Sequence, residues 1–151
     1  MNLNSTKDTK SLSINISKII GKGDVIFLYG DIGVGKTTFV RFLINHLENK
    51  NGIRESDVLS PTFNIVYDYE VKNVKILHYD LYRLNSYKDI VQLGMFETSK
   101  DHIKIIEWPD LIVLKPKDRI DILFKYSKLK DSRKVEVVGF GKWKDYKFDE
   151  I

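Results

Sequence analysis

The sequence contains no cysteine and only three histidines, so several kinds of site are excluded at the outset. Without cysteine there is no disulfide, no thiolate metal site and no cysteine nucleophile, and such usage fits a cytoplasmic protein. The histidines are scattered, and none has a partner at metal-ligand spacing: His46, His78 and His102. No apolar run is long enough to span a bilayer, and the first residues lack the hydrophobic region of a signal peptide. These absences predict a cytoplasmic protein that does not contact a membrane.

The net charge of +4 is concentrated near the end of the chain. Residues 1–114 carry equal numbers of basic and acidic side chains, so the whole excess lies in residues 115–151. A solvated lysine-rich face and a contact with a phosphate backbone or an acidic partner are both compatible with this pattern. No aromatic RNP motif or GXXG loop accompanies the basic residues.

The most informative stretch is Gly-Asp-Ile-Gly-Val-Gly-Lys-Thr-Thr, at residues 30–38. It matches the P-loop pattern, in which glycines allow the backbone N–H groups to surround a phosphate at the start of a helix. In such a loop Lys36 binds the β- and γ-phosphates and the Thr37 hydroxyl binds Mg²⁺. The predicted nucleotide-binding residues of this loop are Asp31, Ile32, Gly33, Val34, Gly35, Lys36, Thr37 and Thr38.

The flanking residues have the pattern that a P-loop requires. The apolar run at residues 25–29 predicts a buried parallel strand, and apolar residues at helical spacing predict a helix over residues 36–49. Further helices are expected at residues 7–20 and 86–93. The remaining predicted strands are 65–71 and 74–80, paired as a hairpin, then 103–106, 119–126 and one around Val135 and Val137, after a turn near Lys130. The sequence therefore predicts one α/β P-loop NTPase domain over residues 1–151, with a mixed, mostly parallel sheet, flanking helices and a polar tail from about residue 140.

Two carboxylates follow predicted strands, Asp80 at the end of residues 75–80 and Glu107 at the end of residues 103–107. Because strand ends of an open α/β sheet meet at the ligand crevice, both are candidates to hold Mg²⁺ beside the P-loop. A single acid after a strand is more often an ordinary turn or cap residue. Two such acids in a chain that also carries a P-loop favour the metal site.

Three further residues near these acids are candidates for the site. Thr62, in a Ser-Pro-Thr loop after the P-loop helix, suits a switch residue that senses the γ-phosphate, although the same triplet is typical of a plain turn. Trp108 either packs in the core or closes the site over the nucleotide. His78 is expected to be a hydrogen-bonded residue of the core or near the site, and not a metal ligand.

Four motifs in this order resemble the bacterial TsaE (YjeE) family of ATPases. They are Gly-Asp-x-Gly-x-Gly-Lys-Thr-Thr-Phe at residues 30–39, Ser-Pro-Thr-Phe at 60–63, His-x-Asp-Leu-Tyr-Arg-Leu at 78–84 and Glu-Trp-Pro at 107–109. The resemblance extends from about residue 6 to residue 138. The family usually has Leu and Ala where this chain has Ile32 and Val34, and paired acids where it has Lys88 and Asp89.

The resemblance implies a cytoplasmic Mg-dependent ATPase that supports threonylcarbamoyladenosine modification of tRNA next to the anticodon. In that family the ATPase works with TsaB and TsaD, and its ATP cycle assembles and resets the complex that acts on tRNA. The motifs carry over roles to six residues: phosphate binding by Lys36, metal binding by Thr37, Glu107 and Asp80, and nucleotide sensing by Thr62 and Trp108. The family's adenine contacts correspond to Thr6, Thr9 and Arg133 or Lys134.

The residues themselves leave other functions to consider. A small P-loop kinase needs several arginines to hold the transferred phosphate, whereas the five arginines here are dispersed. A regulatory GTPase needs an Asn-Lys-x-Asp signature, which Asn-Lys-Asn-Gly at residues 49–52 lacks. A direct RNA-binding module has only the basic tail in its favour. The P-loop itself predicts a nucleoside triphosphate with Mg²⁺, and the resemblance implies that the nucleotide is ATP or ADP.

Overall fold

The protein was analysed as a computed structural model, which describes residues 1–97, 100–128 and 132–148. Lys130, in the predicted turn, and the last residues of the polar tail, 149–151, lie outside these ranges. The strands are β1 (Asn2–Leu3), β2 (Val25–Tyr29), β3 (Val66–Val71), β4 (Val74–Asp80), β5 (Ile103–Glu107), β6 (Arg119–Tyr126) and β7 (Arg133–Phe140). The helices are α1 (Thr6–Ile19), α2 (Lys36–Lys50) and α3 (Tyr87–Gln92), with 3₁₀ turns at Pro109–Leu111 and Gly141–Trp143.

The seven strands form one sheet in the order β1-β7-β6-β2-β5-β4-β3. The four central strands, β6, β2, β5 and β4, are parallel, and the pairs at both edges are antiparallel. The predicted α/β class with a mixed sheet, parallel at its centre, and a β3–β4 hairpin is confirmed. β1 was not predicted, because two residues carry no periodic pattern.

Apolar side chains alternate across the central strands and divide the core into two parts. Ile26 and Leu28 of β2 pack in the core shared with α1 and α2, whereas Val25 and Phe27 of the same strand pack on the α3 side. Both faces of the parallel strands are therefore covered, which explains their uninterrupted apolar sequences. Trp143 and Phe148 are also buried in the first core, so the predicted polar tail packs against the domain.

Helix boundaries follow local signals in the sequence. Ser5 and Asp8 form a capping box at the start of α1, and Ser86 and Asp89 form another at the start of α3. α2 begins at Lys36, directly after Gly35, whose φ of 119° is a conformation that other residues rarely adopt. These starts agree with the predicted helices to within one residue. At the parallel centre, the carboxyl ends of β2, β4 and β5 lie beside the glycine-rich loop.

Candidate nucleotide-binding site

The loop of residues 30–37 joins β2 to α2 and is shaped by its glycines. Gly30, Gly33 and Gly35 all have positive φ angles. A Cβ atom at Gly30 would collide with the carbonyl oxygen of Phe124, so β6 itself requires glycine at this position. The loop therefore turns sharply against the sheet and leads into the N-terminus of α2, where backbone N–H groups and the helix dipole favour an anion.

The Lys36 ammonium lies inside this loop. It donates hydrogen bonds to the carbonyl oxygens of Gly30 (2.6 Å) and Asp31 (3.0 Å). It also lies 3.9 Å from the centre of the Trp108 ring. Only 4% of Lys36 is exposed. Burial lowers the pKa of Lys36, and the nearby carboxylates, Glu107 first among them, partly offset this effect.

Glu107, at the end of β5, connects the loop to the sheet. Its Oε1 atom accepts hydrogen bonds from the Thr37 hydroxyl and from Nε2 of His78, both at 2.9 Å. Glu107 and His78 are both buried, at 2% and 0% exposure. The structure thus brings together two predicted metal ligands, Thr37 and Glu107. It adds His78, whose contact with Glu107 was missed because the two residues lie on different strands.

Asp80, at the end of β4, is directly opposite Glu107 in the strand register. Its Oδ2 accepts hydrogen bonds from Ser60 (2.9 Å) and Thr62 (2.6 Å), and its Oδ1 accepts one from the backbone N–H of Tyr82 (3.0 Å). Both predicted residues, Asp80 and Thr62, are therefore in contact with each other. Asp80 holds the Ser-Pro-Thr loop against the strand, a link that the spacing in the sequence did not reveal.

Trp108 covers this part of the site. Its backbone has a left-handed conformation (φ 58°), and its ring packs against Tyr82 with 4.9 Å between ring centres. The left-handed conformation costs a non-glycine residue about 1 kcal/mol or more. The turn places the ring over Lys36, and the same side chain packs against the core on the α3 side, so its position is compatible with both roles considered for Trp108.

Two clefts open on either side of the loop. A cleft of about 270 Å³ is lined by Lys36, Thr37, Thr62, Asp80, Glu107 and Trp108, together with glycines of the loop. A smaller cleft, of about 170 Å³, is lined by Thr6, Thr9 and Arg133 and by the outer side of residues 33–35 and Thr38. The residues with predicted adenine contacts therefore lie beside the loop, while Lys134 does not line this cleft. Asp31 and Ile32 are exposed at the loop tip.

The β6–β7 hairpin contacts the same loop through two side chains. The Tyr126 hydroxyl donates to the carbonyl of Ile32 (2.7 Å), and Nε of Arg133 donates to the carbonyl of Val34 (3.1 Å). The Arg133 guanidinium lies over the Tyr126 ring, at 4.7 Å. About half of Tyr126, at the end of β6, is exposed.

The donor set fits a magnesium ion that is shared with phosphate groups. Within residues 1–97, 100–128 and 132–148, no three His, Cys, Asp or Glu side chains form a metal-binding group. Mg²⁺ in nucleotide sites is typically held by one or two carboxylates, with phosphates and waters completing its shell. The Thr37 hydroxyl and the Glu107 carboxylate, which lie together at the loop, match that requirement.

No helix in the described ranges is both long and apolar enough to cross a membrane.

The family model for "Threonylcarbamoyl adenosine biosynthesis protein TsaE" matches residues 3–135. A protein of Rickettsia felis named "tRNA threonylcarbamoyladenosine biosynthesis protein TsaE" is 38% identical over 110 residues, which are 73% of this chain and 62% of the relative. The chain thus spans less than two thirds of that relative. A protein of the same name from Aquifex aeolicus is 37% identical over 72% of this chain and 74% of its own.

A solved structure, that of YdiB from Bacillus subtilus, has the same fold. Its TM-score is 0.74 and its sequence identity 24%, with 99% of this chain and 90% of the other covered. The family model covers most of the chain and includes every residue of the two clefts. The chain belongs to the TsaE family of threonylcarbamoyl adenosine biosynthesis proteins.

Proposed function

We propose that this chain is a cytoplasmic Mg-dependent ATPase. It hydrolyses ATP slowly and acts with TsaB and TsaD as a nucleotide-dependent switch in threonylcarbamoyladenosine modification of tRNA. The observation that carries the proposal is the convergence of Lys36, Thr37 and Glu107 in one cleft at the N-terminus of α2. This combination supplies a phosphate-binding cation and a metal-binding pair at the place where a helix dipole favours anions.

Lys36 can exchange its hydrogen bonds to backbone carbonyl oxygens for contacts with phosphate groups. Its ammonium is bonded to two carbonyl oxygens, and burial lowers its pKa. A phosphate carries full negative charge, so it is a better partner for a buried ammonium than a carbonyl dipole. Binding of the β- and γ-phosphates is therefore favoured by the state in which Lys36 is held.

Thr37 and Glu107 would hold the magnesium ion. Bound Mg²⁺ neutralises charge on the phosphates during their transfer. The Thr37 hydroxyl donates to Glu107, so the carboxylate is aimed at the loop. Asp80 would act beside them, since it lies opposite Glu107 in the sheet.

The smaller cleft suits the nucleoside. Thr6, Thr9 and Arg133 supply its polar groups, and Asp80 is not part of its lining. Arg133 is held in place by the carbonyl of Val34 and by Tyr126, so its planar guanidinium is available as a rigid surface. Planar guanidinium groups stack on aromatic rings, which is the chemistry that an adenine base requires.

Thr62 and Asp80 would connect the nucleotide to the protein surface. The Thr62 hydroxyl is bonded to Asp80, and the next residue, Phe63, is 84% exposed. A change at Thr62 on γ-phosphate binding or loss would therefore move a large apolar side chain in the solvent. Ile32 and Tyr82, at the rim of the same cleft, are also exposed, at 64% and 50%. Exposed apolar residues around a site are typical of a surface that a partner protein covers.

The cleft also supports slow turnover and argues against the kinase alternative. Among the described residues, no arginine lines the cleft that contains Lys36 and Glu107. Efficient phosphoryl transfer uses an additional cation on the transferred group, so the isolated chain lacks part of that machinery. We therefore expect the chain alone to turn over slowly and a partner to increase the rate.

The test is Mg-ATP hydrolysis by the purified chain, alone and with TsaB and TsaD. Lys36→Ala should remove activity in both conditions, whereas Lys22→Ala, which removes the same charge from an exposed position, should not. Slow turnover that rises with the partners supports the switch. Turnover that ignores the partners and depends on a small-molecule acceptor would contradict it and favour a kinase.

A further inference from the structure

We infer that His78 is the positioning residue for Glu107, holding the carboxylate in the orientation that binds the metal. This inference rests on the proposed function, in which Glu107 binds Mg²⁺. His78 is fully buried in β4, and its Nε2 atom lies 2.9 Å from Oε1 of Glu107. In the strand register His78 is opposite Ile105, so Glu107 is its diagonal neighbour on the same face of the sheet.

The hydrogen bond is assigned with Nε2 of His78 as the donor and Oε1 of Glu107 as the acceptor, because Oε1 already accepts the hydrogen of the Thr37 hydroxyl. The other ring nitrogen, Nδ1, is buried and has no hydrogen-bond partner among the described residues. A hydrogen on Nδ1 would be a buried donor without an acceptor, which is costly. The geometry therefore assigns a hydrogen to Nε2, where it points at Glu107.

An imidazole N–H donor suits a residue that supports a metal ligand. A lysine or arginine at this place would neutralise Glu107 and compete with the cation for it. The imidazole N–H fixes the carboxylate and leaves its negative charge available, as outer-shell partners of metal sites generally do. Removing the donor leaves a buried carboxylate with one hydrogen bond fewer, so its orientation is no longer determined from the sheet side.

The second donor to Glu107 is placed differently. Thr37 also bonds to Oε1, but its hydroxyl oxygen is itself a proposed ligand of the metal. The position of Thr37 would therefore depend on the ion as well as on Glu107. His78 has no other side-chain hydrogen-bond partner among the described residues and lies in β4, between β3 and β5. It supports Glu107 from the sheet side, independently of the metal.

The matched variants are His78→Gln and His78→Asn. Both are uncharged, but the longer Gln places its amide N–H near the position of Nε2, whereas Asn ends near Nδ1 and cannot reach Glu107. The affinity for ATP is measured by calorimetry over a range of Mg²⁺ concentrations and in EDTA. We expect the Mg²⁺ concentration that gives half of the full increase in ATP affinity to be about 10- to 100-fold higher for His78→Asn than for the wild type. The affinity of this variant for ATP in EDTA should be unchanged. His78→Gln should stay within about threefold of the wild type.

Three outcomes separate this inference from the proposed function. If ATP binding by His78→Asn depends on Mg²⁺ as it does in the wild type, the positioning role is wrong. If His78→Asn loses the same affinity for ATP with and without Mg²⁺, the role is also wrong, because that result indicates a purely structural residue. Glu107→Gln is titrated in parallel: if its Mg²⁺ dependence is also unchanged, the proposed metal site fails and the role of His78 fails with it. If His78→Asn does not fold, the ¹⁵N chemical shifts of the His78 ring in the wild-type protein provide the test. A hydrogen on Nδ1 instead of Nε2 would contradict the assigned hydrogen bond to Glu107.

Discussion

Replacing Lys36 by methionine should separate folding from nucleotide binding. Methionine keeps most of the apolar stem but removes the ammonium, its hydrogen bonds to Gly30 and Asp31 and its contact with Trp108. Two charge-assisted hydrogen bonds contribute about 1.5–3 kcal/mol each, and a desolvated cation–π contact about 2 kcal/mol. Opposing them, the penalty for burying an ammonium is several kcal/mol.

Burial is the largest cause of the lowered pKa of Lys36, so desolvation of the ammonium opposes these contacts. Gly30 is half-buried and Asp31 is exposed, so water can replace the ammonium at their carbonyls. We therefore expect the free energy of unfolding of nucleotide-free Lys36→Met to lie within about 1 kcal/mol of the wild type, or about 2–4 °C in Tm.

The assay is thermal unfolding with and without Mg-ATP. A wild-type site at 100 times its Kd gains about 2.7 kcal/mol, or about 5–10 °C, whereas Lys36→Met should gain nothing. A fall of more than about 10 °C in the nucleotide-free variant would show that the buried hydrogen bonds of Lys36 hold the fold together. An ATP-induced shift that survives the substitution would remove Lys36 from the binding site.

Three further predictions follow from the same contacts. Glu107→Ala should lower kcat by about 100-fold or more through loss of metal positioning, and unchanged turnover would exclude Glu107 from the site. Gly30→Ala should lower the free energy of unfolding by about 3 kcal/mol in chemical denaturation, because φ at this position is 133° and the added Cβ meets the Phe124 carbonyl. The control is Gly21→Ala, whose added Cβ has open space around it. The affinity for ATP should fall as the pH rises through the lowered pKa of Lys36 toward 10.5, because phosphate favours the protonated amine. The free energy of unfolding of the nucleotide-free protein should rise over the same pH range. Lys36 of the unfolded chain still holds its proton there, whereas the folded protein has lost it. Calorimetry and melting curves at pH 8 to 10.5 would test both directions, and an affinity independent of pH would contradict the role of Lys36.

Much of the fold could be predicted because its signals are local. An apolar run, a glycine-rich loop and helical spacing after it were sufficient for β2 and α2. An apolar helical face followed by Gly21 indicated α1, and Ser86 as a capping residue indicated α3. The two acids at strand ends could be found because parallel strands bring their carboxyl ends to one edge. β1 could not be found in this way, since it consists of two residues that pair with β7 across nearly the whole chain.

The sequence by itself determined the kind of loop, the residue types of the site and the family to which the motifs point, since all of these depend on neighbours a few positions apart. Only the tertiary structure decided how those residues meet. It buries Lys36 beneath Trp108, ties Thr62 to Asp80 and joins His78 to Glu107. The residues of the last two pairs are separated by 18 and 29 positions in the chain. Contacts of this kind arise from strand register and packing, which no local pattern encodes.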